Sequence, residues 1–217
     1  MRVAVTRAVG QADDLAARIE ALGCEPVLWP LIAVEPIGSE PIDATAYDWI
    51  VSTSPNGAAE LARRLAAPPR RVAAIGPGTA AALRAHGLEP DLVPRESTQE
   101  GLLAELPSEP GRILLAAAEG ARRLLIDELG ADFLPLYRTV EITPEETLDF
   151  DLVLLASSSA ARALARTDAR TTPVVVIGPQ TAATARELGL DLAGEADRHD
   201  LDGLVASLER VLAETAS

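Results

Sequence analysis

Ile75-Gly76-Pro77-Gly78-Thr79-Ala80-Ala81 is answered 102 residues later by Ile177-Gly178-Pro179-Gln180-Thr181-Ala182-Ala183, an offset close to half of a 217-residue chain. Each copy follows an apolar run, Arg71-Val72-Ala73-Ala74 in the first and Val174-Val175-Val176 in the second. Each precedes an alanine-rich stretch that closes on glycine: Leu83-Arg84-Ala85-His86-Gly87 and Ala185-Arg186-Glu187-Leu188-Gly189. This spells strand, tight turn, helix and stop. Written twice, it predicts two similar α/β halves. Facing each other, such halves make a cleft lined by the turns at the strand ends, and a ligand site is expected there.

The bulk composition narrows the classes. Apolar residues make up 48% of the chain and charged residues 24%, which suits a buried core and not disorder. Aromatics reach only 3%, so a stacking platform for single-stranded nucleic acid is not expected. A net charge of −14 argues against nucleic acid or an anionic membrane as partner. It leaves room for an anionic small ligand, because local amides and arginines outweigh a distant field. The single cysteine, Cys24, forms no internal disulfide. It follows a helix stop at Gly23 and opens a strand, which predicts a buried thiol. The chain enters a strand at Arg2-Val3-Ala4-Val5 with no apolar leader before it. No apolar run approaches the roughly 20 residues of a membrane span. The cytoplasm is the expected location.

Glycine stops at Gly23, Gly87, Gly130 and Gly189 punctuate the chain. Strands are predicted near 2–6, 25–29, 48–52, 71–75, 91–93, 112–116, 132–136, 151–155, 174–177 and 191–193. Helices are predicted near 11–22, 56–66, 78–86, 99–105, 120–129, 159–165, 180–188 and 201–213, the last an amphipathic closing helix. The alternation predicts doubly wound parallel sheets with helices on both faces. Two further echoes support the repeat: residues 48–59 align with 151–161, and 2–35 resemble 112–141 in pattern. Two extended exits, Pro30–Pro36 and Leu136–Ile142, the second followed by Pro144, Glu145 and Glu146, read as a two-stranded linker. Domain one is then discontinuous, 1–35 plus 146–217, domain two is 38–141, and the linkers lie near 33–40 and 138–146.

Three groups carry candidate chemistry. In the Gly-Pro-x-Thr turns, Gly76, Thr79, Gly178, Gln180 and Thr181 sit where a strand runs into a helix. Free amides and the helix dipole there suit a carboxylate or phosphate; ordinary capping by the threonines is the competing account. Neither turn has the spacing of a nucleotide loop. The serine-rich turns come second: Ser54 and Asn56 after one strand, and Ser157, Ser158 and Ser159 after another. Their hydroxyls suit anion recognition. A nucleophilic serine needs a base, and His86 and His199 lie beside neither turn. One cysteine and two distant histidines give no metal-ligand spacing. Third are Tyr137 on an exit strand, a donor or weak acid or else a half-buried structural tyrosine, and two arginines. Arg7 ends the first strand, where an α/β site lies. Arg138 either pairs with a ligand carboxylate or is solvated. The acids Asp13, Asp14, Glu105, Glu109, Glu187, Glu195 and Glu209 read as helix starts and solvated faces.

These marks, in this order, resemble the uroporphyrinogen-III synthase family over nearly the whole chain. They are Val5-Thr6-Arg7, Thr53-Ser54-Pro55-Asn56-Gly57, both Ile-Gly-Pro-x-Thr-Ala turns, Leu136-Tyr137-Arg138-Thr139-Val140 and Ser157-Ser158-Ser159. The resemblance implies two α/β domains on a two-stranded linker. It implies a cofactor-free lyase that cyclises hydroxymethylbilane, a linear tetrapyrrole with eight carboxylates, to uroporphyrinogen III. Ring A loses its hydroxyl as water, ring D attacks through its substituted α-carbon to give a spiro intermediate, and ring D recloses inverted. Tyr137 matches the tyrosine thought to donate the proton. The resemblance also implies a monomer that receives its substrate from hydroxymethylbilane synthase. Two departures stand out: Leu115-Ala116-Ala117-Ala118-Glu119-Gly120 replaces an Arg-Gly type segment, and Ser158 stands where a proline is common. A non-catalytic two-lobed protein binding an anionic small molecule is the competing class, and a nucleotide- or glycosyl-transferring enzyme ranks last for want of a nucleotide motif.

Overall fold

β1 (Arg2–Val5), α1 (Asp13–Ala21) and β2 (Glu25–Leu28) open the computed structural model, which describes residues 1–67, 69–144 and 148–215. There follow β3 (Ile32–Pro36), β4 (Trp49–Ser52), α2 (Pro55–Arg64), β5 (Val72–Ala74), α3 (Pro77–Ala85), α4 (Gln99–Glu105), β6 (Ile113–Ala118), α5 (Leu124–Leu129) and β7 (Asp132–Glu141). The chain ends with β8 (Leu152–Leu155), α6 (Ser158–Leu164), a 3-10 turn at Asp168–Thr171, β9 (Val174–Val176), α7 (Pro179–Glu187), β10 (Leu192–Glu195) and α8 (Leu201–Thr215). Glu145 and Glu146 lie outside the described residues. The chain divides into two units, Met1–Ala33 with Thr139–Ser217, and Val34–Arg138.

The first unit holds a sheet of order β10-β9-β8-β1-β2, with all four neighbouring pairs parallel. The second holds β3-β7-β6-β4-β5, with β7-β6-β4-β5 parallel. The sequence echoes match β8 and β9 with β4 and β5, and β1 and β2 with β6 and β7. The run β9-β8-β1-β2 therefore has its counterpart in β5-β4-β6-β7, with the chain entering at a different strand.

Strands in such a sheet are covered on both faces, and alternate residues show it. In the first unit Ala4, Val153, Leu155, Val174 and Val176 join Ala160, Ala161, Leu164, Ala182 and Ala185 of α6 and α7. Val3, Val5, Leu152, Leu154 and Val175 face the other way, onto Leu15 and Ile19 of α1 and Leu204 and Leu208 of α8. In the second unit Ile50, Val72, Ala74, Leu114 and Ala116 pack with Ala58 and Leu61 of α2 and Ala80 and Leu83 of α3. Trp49, Val51, Ala73, Ile113 and Leu115 pack with Leu102 of α4 and Leu125 of α5. Each fully buried leucine is worth about 1.5–3 kcal/mol of transfer free energy. The stop glycines Gly23, Gly87, Gly130 and Gly189 all take positive φ, between 62° and 79°.

Three expectations are corrected. The strand expected at 91–93 is a single bridge, Ala73 to Leu92. Pro90 and Pro94 bracket it and lack the N–H a ladder needs, and the Asp91 carboxylate accepts the Val72 N–H at 2.8 Å. The helix expected from 120 begins at Leu124. The preceding loop is tied elsewhere: Glu119 N–H donates to Tyr137 O at 2.8 Å, and Gln99 Nε2 donates to Arg122 O at 2.9 Å. Cys24 is half-buried, because it precedes β2, which forms the edge of its sheet.

Surface carboxylates are tied to cations and donors. Arg18 holds Asp202 below the usual aspartate range, the Arg112 N–H and Arg70 do so for Asp48, and the Tyr47 hydroxyl and Arg112 for Asp132. A lowered carboxylate stabilises the fold fully above its unfolded value and loses that contribution as the pH falls through the lowered one. The melting temperature is expected to hold between about pH 5 and 7 and to decline below about pH 4. The decline should be modest, because the pairs are solvated. Calorimetry across that range checks it, and a flat profile down to about pH 3 is the contrary result.

Candidate active site

In each sheet one pair of neighbouring strands sends its helices in opposite directions, and ligands bind at such a switch point, beyond the carboxyl ends of the strands. In the first unit this pair is β1 and β8. Thr6 and Arg7 follow β1, and Ser157–Ser159 follow β8, with Gly178–Thr181 after the neighbouring β9. In the second unit the pair is β6 and β4. Thr53–Asn56 follow β4, Glu119–Arg123 follow β6, and Gly76–Thr79 follow β5.

Tyr137 is built into the second unit by a bulge. Ala117 pairs with Pro135 but Ala118 pairs with Tyr137, so β7 carries one extra residue, Leu136. Leu136 and Tyr137, adjacent in sequence, consequently join the same core cluster, which a regular strand forbids. The tyrosine is 6% exposed. Its hydroxyl lies 2.8 Å from Ser54 Oγ and is hydrogen-bonded to the Asn56 side chain. Burial raises the phenol above its ordinary pKa, and the bonds to Ser54 and Asn56 oppose that only in part. Tyr137 therefore keeps its proton through neutral pH. Ser54 is also the N-cap of α2, accepting the Gly57 N–H at 3.0 Å. Gly57 leaves room for this arrangement: a Cβ there would come within 3.4 Å of Ala116 O and Ser52 Oγ.

The serines of the first unit are occupied locally. Ser157 caps α6 by accepting from Ala160 N–H at 3.2 Å. Ser158 Oγ donates to Gln180 O at 3.2 Å and accepts from Thr184 Oγ1 at 3.0 Å. Ser159 Oγ accepts from Arg162 at 3.0 Å. Arg138 is exposed and paired with Glu35 at 2.8 Å. Arg7 differs. All 19 basic residues of the chain are arginines. Among the described residues Arg7 is the one not exposed that makes no hydrogen bond or ion pair. Burial pushes its guanidinium below the usual value, with Asp14 opposing at longer range. Thr6 anchors the end of β1 beside it, donating to Leu154 O at 2.7 Å.

The two Gly-Pro turns are alike in detail. Gly76 and Gly178 are the N-caps of α3 and α7, both in extended conformation and without a side-chain cap. The competing account, capping by the threonines, does not hold, because Gly76 and Gly178 occupy the cap positions and Thr79 and Thr181 lie inside the first helical turn. They are 3% and 4% exposed, and neither hydroxyl bonds to another described residue. The Gln180 side chain is on an exposed residue. Sequence reasoning missed Ser97 and His199, which pack against Gly76 and Gly178; the same 102-residue offset was the available signal. Among the described residues no group of three or more His, Cys, Asp or Glu side chains is placed to hold a metal, and no helix is long and apolar enough to cross a membrane.

Fold and strand-end residues together define a protein of two doubly wound α/β units whose polar turns suit carboxylates. The family model described as uroporphyrinogen-III synthase HemD matches residues 13–206. The chain is 31% identical over 151 residues to a putative uroporphyrinogen-III synthase of Methanocaldococcus jannaschii, covering 65% of this chain and 63% of that one. It is 28% identical over an alignment of 253 positions to the uroporphyrinogen-III synthase of Synechococcus elongatus, covering 98% and 96%. The crystal structure of a mutant uroporphyrinogen III synthase from Thermus thermophilus shares the fold, with a TM-score of 0.64 at 22% identity over 99% of both chains. The chain belongs to the uroporphyrinogen-III synthase family, cyclising lyases of tetrapyrrole biosynthesis.

Proposed function

We propose that this chain cyclises hydroxymethylbilane to uroporphyrinogen III with Tyr137 as proton donor. The observation that carries this reading is the Tyr137 hydroxyl, its pKa raised further by burial, held between Ser54 and Asn56 at the carboxyl end of a sheet. The phenol donates to the departing ring A hydroxyl, which leaves as water. Ring D attacks the resulting azafulvene through its substituted α-carbon, and the spiro intermediate opens and recloses inverted. The proton that ring D loses on rearomatising replaces the one given to water, so the net change is loss of one water. No metal or redox step enters.

The substrate closes without inversion when free, so the protein's task is to hold the conformer that reaches the crowded carbon. Arg7, the half-buried cation without a partner, supplies one carboxylate contact. Gly76, Thr79, Gly178, Gln180 and Thr181 supply amides and hydroxyls, and Asn56 and Ser157 complete the strand-end set. Ser54, Ser158, Ser159 and Arg138 act as supports through the bonds they already make. The chain works as a cytoplasmic monomer on substrate released by hydroxymethylbilane synthase.

The test generates hydroxymethylbilane in place, adds this protein, oxidises the products and separates the porphyrin isomers. Isomer III is the expected product. Isomer I alone, from folded protein, overturns the reading and leaves a binding protein for an anionic small molecule.

A further inference from the structure

The 102-residue repeat runs beyond the Gly-Pro turns. Glu96-Ser97-Thr98-Gln99-Glu100-Gly101-Leu102 stands opposite Arg198-His199-Asp200-Leu201-Asp202-Gly203-Leu204. The local geometry repeats with it. Thr98 Oγ1 accepts the Gly101 N–H at 3.0 Å, and Asp200 Oδ1 accepts the Gly203 N–H at 2.8 Å. A Cβ on Gly101 or Gly203 would fall 2.1 or 2.0 Å from the carbonyl oxygen of Glu96 or Arg198. Each loop is thereby locked, and each lays the residue before its cap onto the glycine of a Gly-Pro turn. A Cβ on Gly76 would lie 2.5 Å from Ser97 Oγ, and one on Gly178 would lie 2.8 Å from His199 Cδ2.

Neither side chain is needed for capping, which Thr98 and Asp200 perform. Both are exposed, and neither makes a hydrogen bond or ion pair with a described residue. Three residues past each of these glycines, in the first turn of the helix it caps, the Thr79 and Thr181 side chains are more than nine-tenths buried and equally without partners. A residue serving only to fill the space over a glycine has no use for a polar edge. Two different polar residues, in the same register, point to a shared polar task. The nearby acids do not oppose it: Asp200 and Asp202 are paired with Arg198, and Asp202 also with Arg18.

We propose that His199 is a further carboxylate-binding residue, donating from its imidazole to a substrate carboxylate held at the Gly178–Thr181 turn. Ser97 is its hydroxyl counterpart at Gly76–Thr79 in the other unit. This rests on the reading of the substrate as a multiply carboxylated tetrapyrrole. His199 contributes recognition, not proton transfer, so its removal weakens binding and spares the chemistry.

The test measures two things on wild type, His199→Ala, His199→Gln and Ser97→Ala. One is the dissociation constant for uroporphyrin III, the stable octacarboxylate, by fluorescence titration. The other is KM and kcat with hydroxymethylbilane generated in place. His199→Ala is expected to raise both Kd and KM by about three- to tenfold, the scale of one lost hydrogen bond, with kcat within about twofold and isomer III retained. His199→Gln, which keeps a donor, recovers part of the loss, and Ser97→Ala gives a smaller rise. Unchanged Kd and KM in folded His199→Ala overturn the proposal, as does a fall in kcat alone. If the wild type binds the porphyrin but forms no isomer III, the catalytic reading fails by itself, and the Kd comparison still decides the role of His199.

Discussion

Tyr137→Phe is expected to lower turnover by about tenfold or more while the fold and substrate affinity persist. General acids contribute roughly a hundredfold or more when well matched to the working pH. A phenol whose burial raises its pKa is a weaker acid, so the lower end is the expectation here. The substitution leaves Ser54 Oγ with the Gly57 N–H it already accepts but removes the bonds to Ser54 and Asn56, so the stability cost should stay near two neutral hydrogen bonds, about 1–3 kcal/mol. Turnover under single-turnover conditions, with circular dichroism on the same sample, separates chemistry from folding. A Phe variant running at the wild-type rate would show that Tyr137 is a core residue with a satisfied hydroxyl, and would remove it from the mechanism. The sign of the pKa shift gives a companion expectation. Because burial raises the value, the wild-type rate should show no loss through Tyr137 ionisation up to about pH 9, one unit below the ordinary phenol value.

Gly203→Ala should destabilise the protein by about 2–4 kcal/mol, although Ala is the better helix former by about 1 kcal/mol. The added Cβ would meet the carbonyl oxygen, carbonyl carbon and Cβ of Arg198 at 2.0, 2.8 and 2.9 Å. Two of these are backbone atoms, so the loop must move. Moving it breaks the Asp200 cap on the Gly203 N–H, worth about 1 kcal/mol, and adds overpacking strain of about 1–3 kcal/mol. A fall in melting temperature of roughly 5–15 °C follows for a chain of this size. Gly101→Ala should behave the same way, and Gly120→Ala, with nothing within 4 Å of the added atom, is the neutral control. A Gly203→Ala protein melting with wild type would mean that the loop yields freely, and the account of a locked loop would be withdrawn.

Elements whose signals lie within a few residues were legible in the chain. The glycine stops, the apolar runs of β8 and β9 and the doubled Gly-Pro turns are local, so strand, turn and helix follow from chain stereochemistry. Boundaries went astray where distant partners intervened. The loop before α5 stays unwound because Gln99 and Tyr137 take its backbone groups. The expected fifth strand shrinks to Leu92 because prolines bracket it and the Asp91 side chain takes a ladder donor. The candidate site divides the same way. Its turn residues stand out by repetition, but their partners do not: Ser54 and Tyr137 meet across 83 residues.

From the sequence alone came the α/β class, the internal repeat, the resemblance to one family and the strand-end residues worth testing. These depend on local pattern and residue type, which need no knowledge of what packs against what. Only tertiary structure decided that a bulge turns Tyr137 onto the side of Leu136, that Arg7 is half-buried without a partner, and that His199 lies on Gly178. Each is a matter of burial and contact between segments far apart in the chain. Long-range packing sets the desolvation, hydrogen bonding and close approach from which a site's chemistry follows.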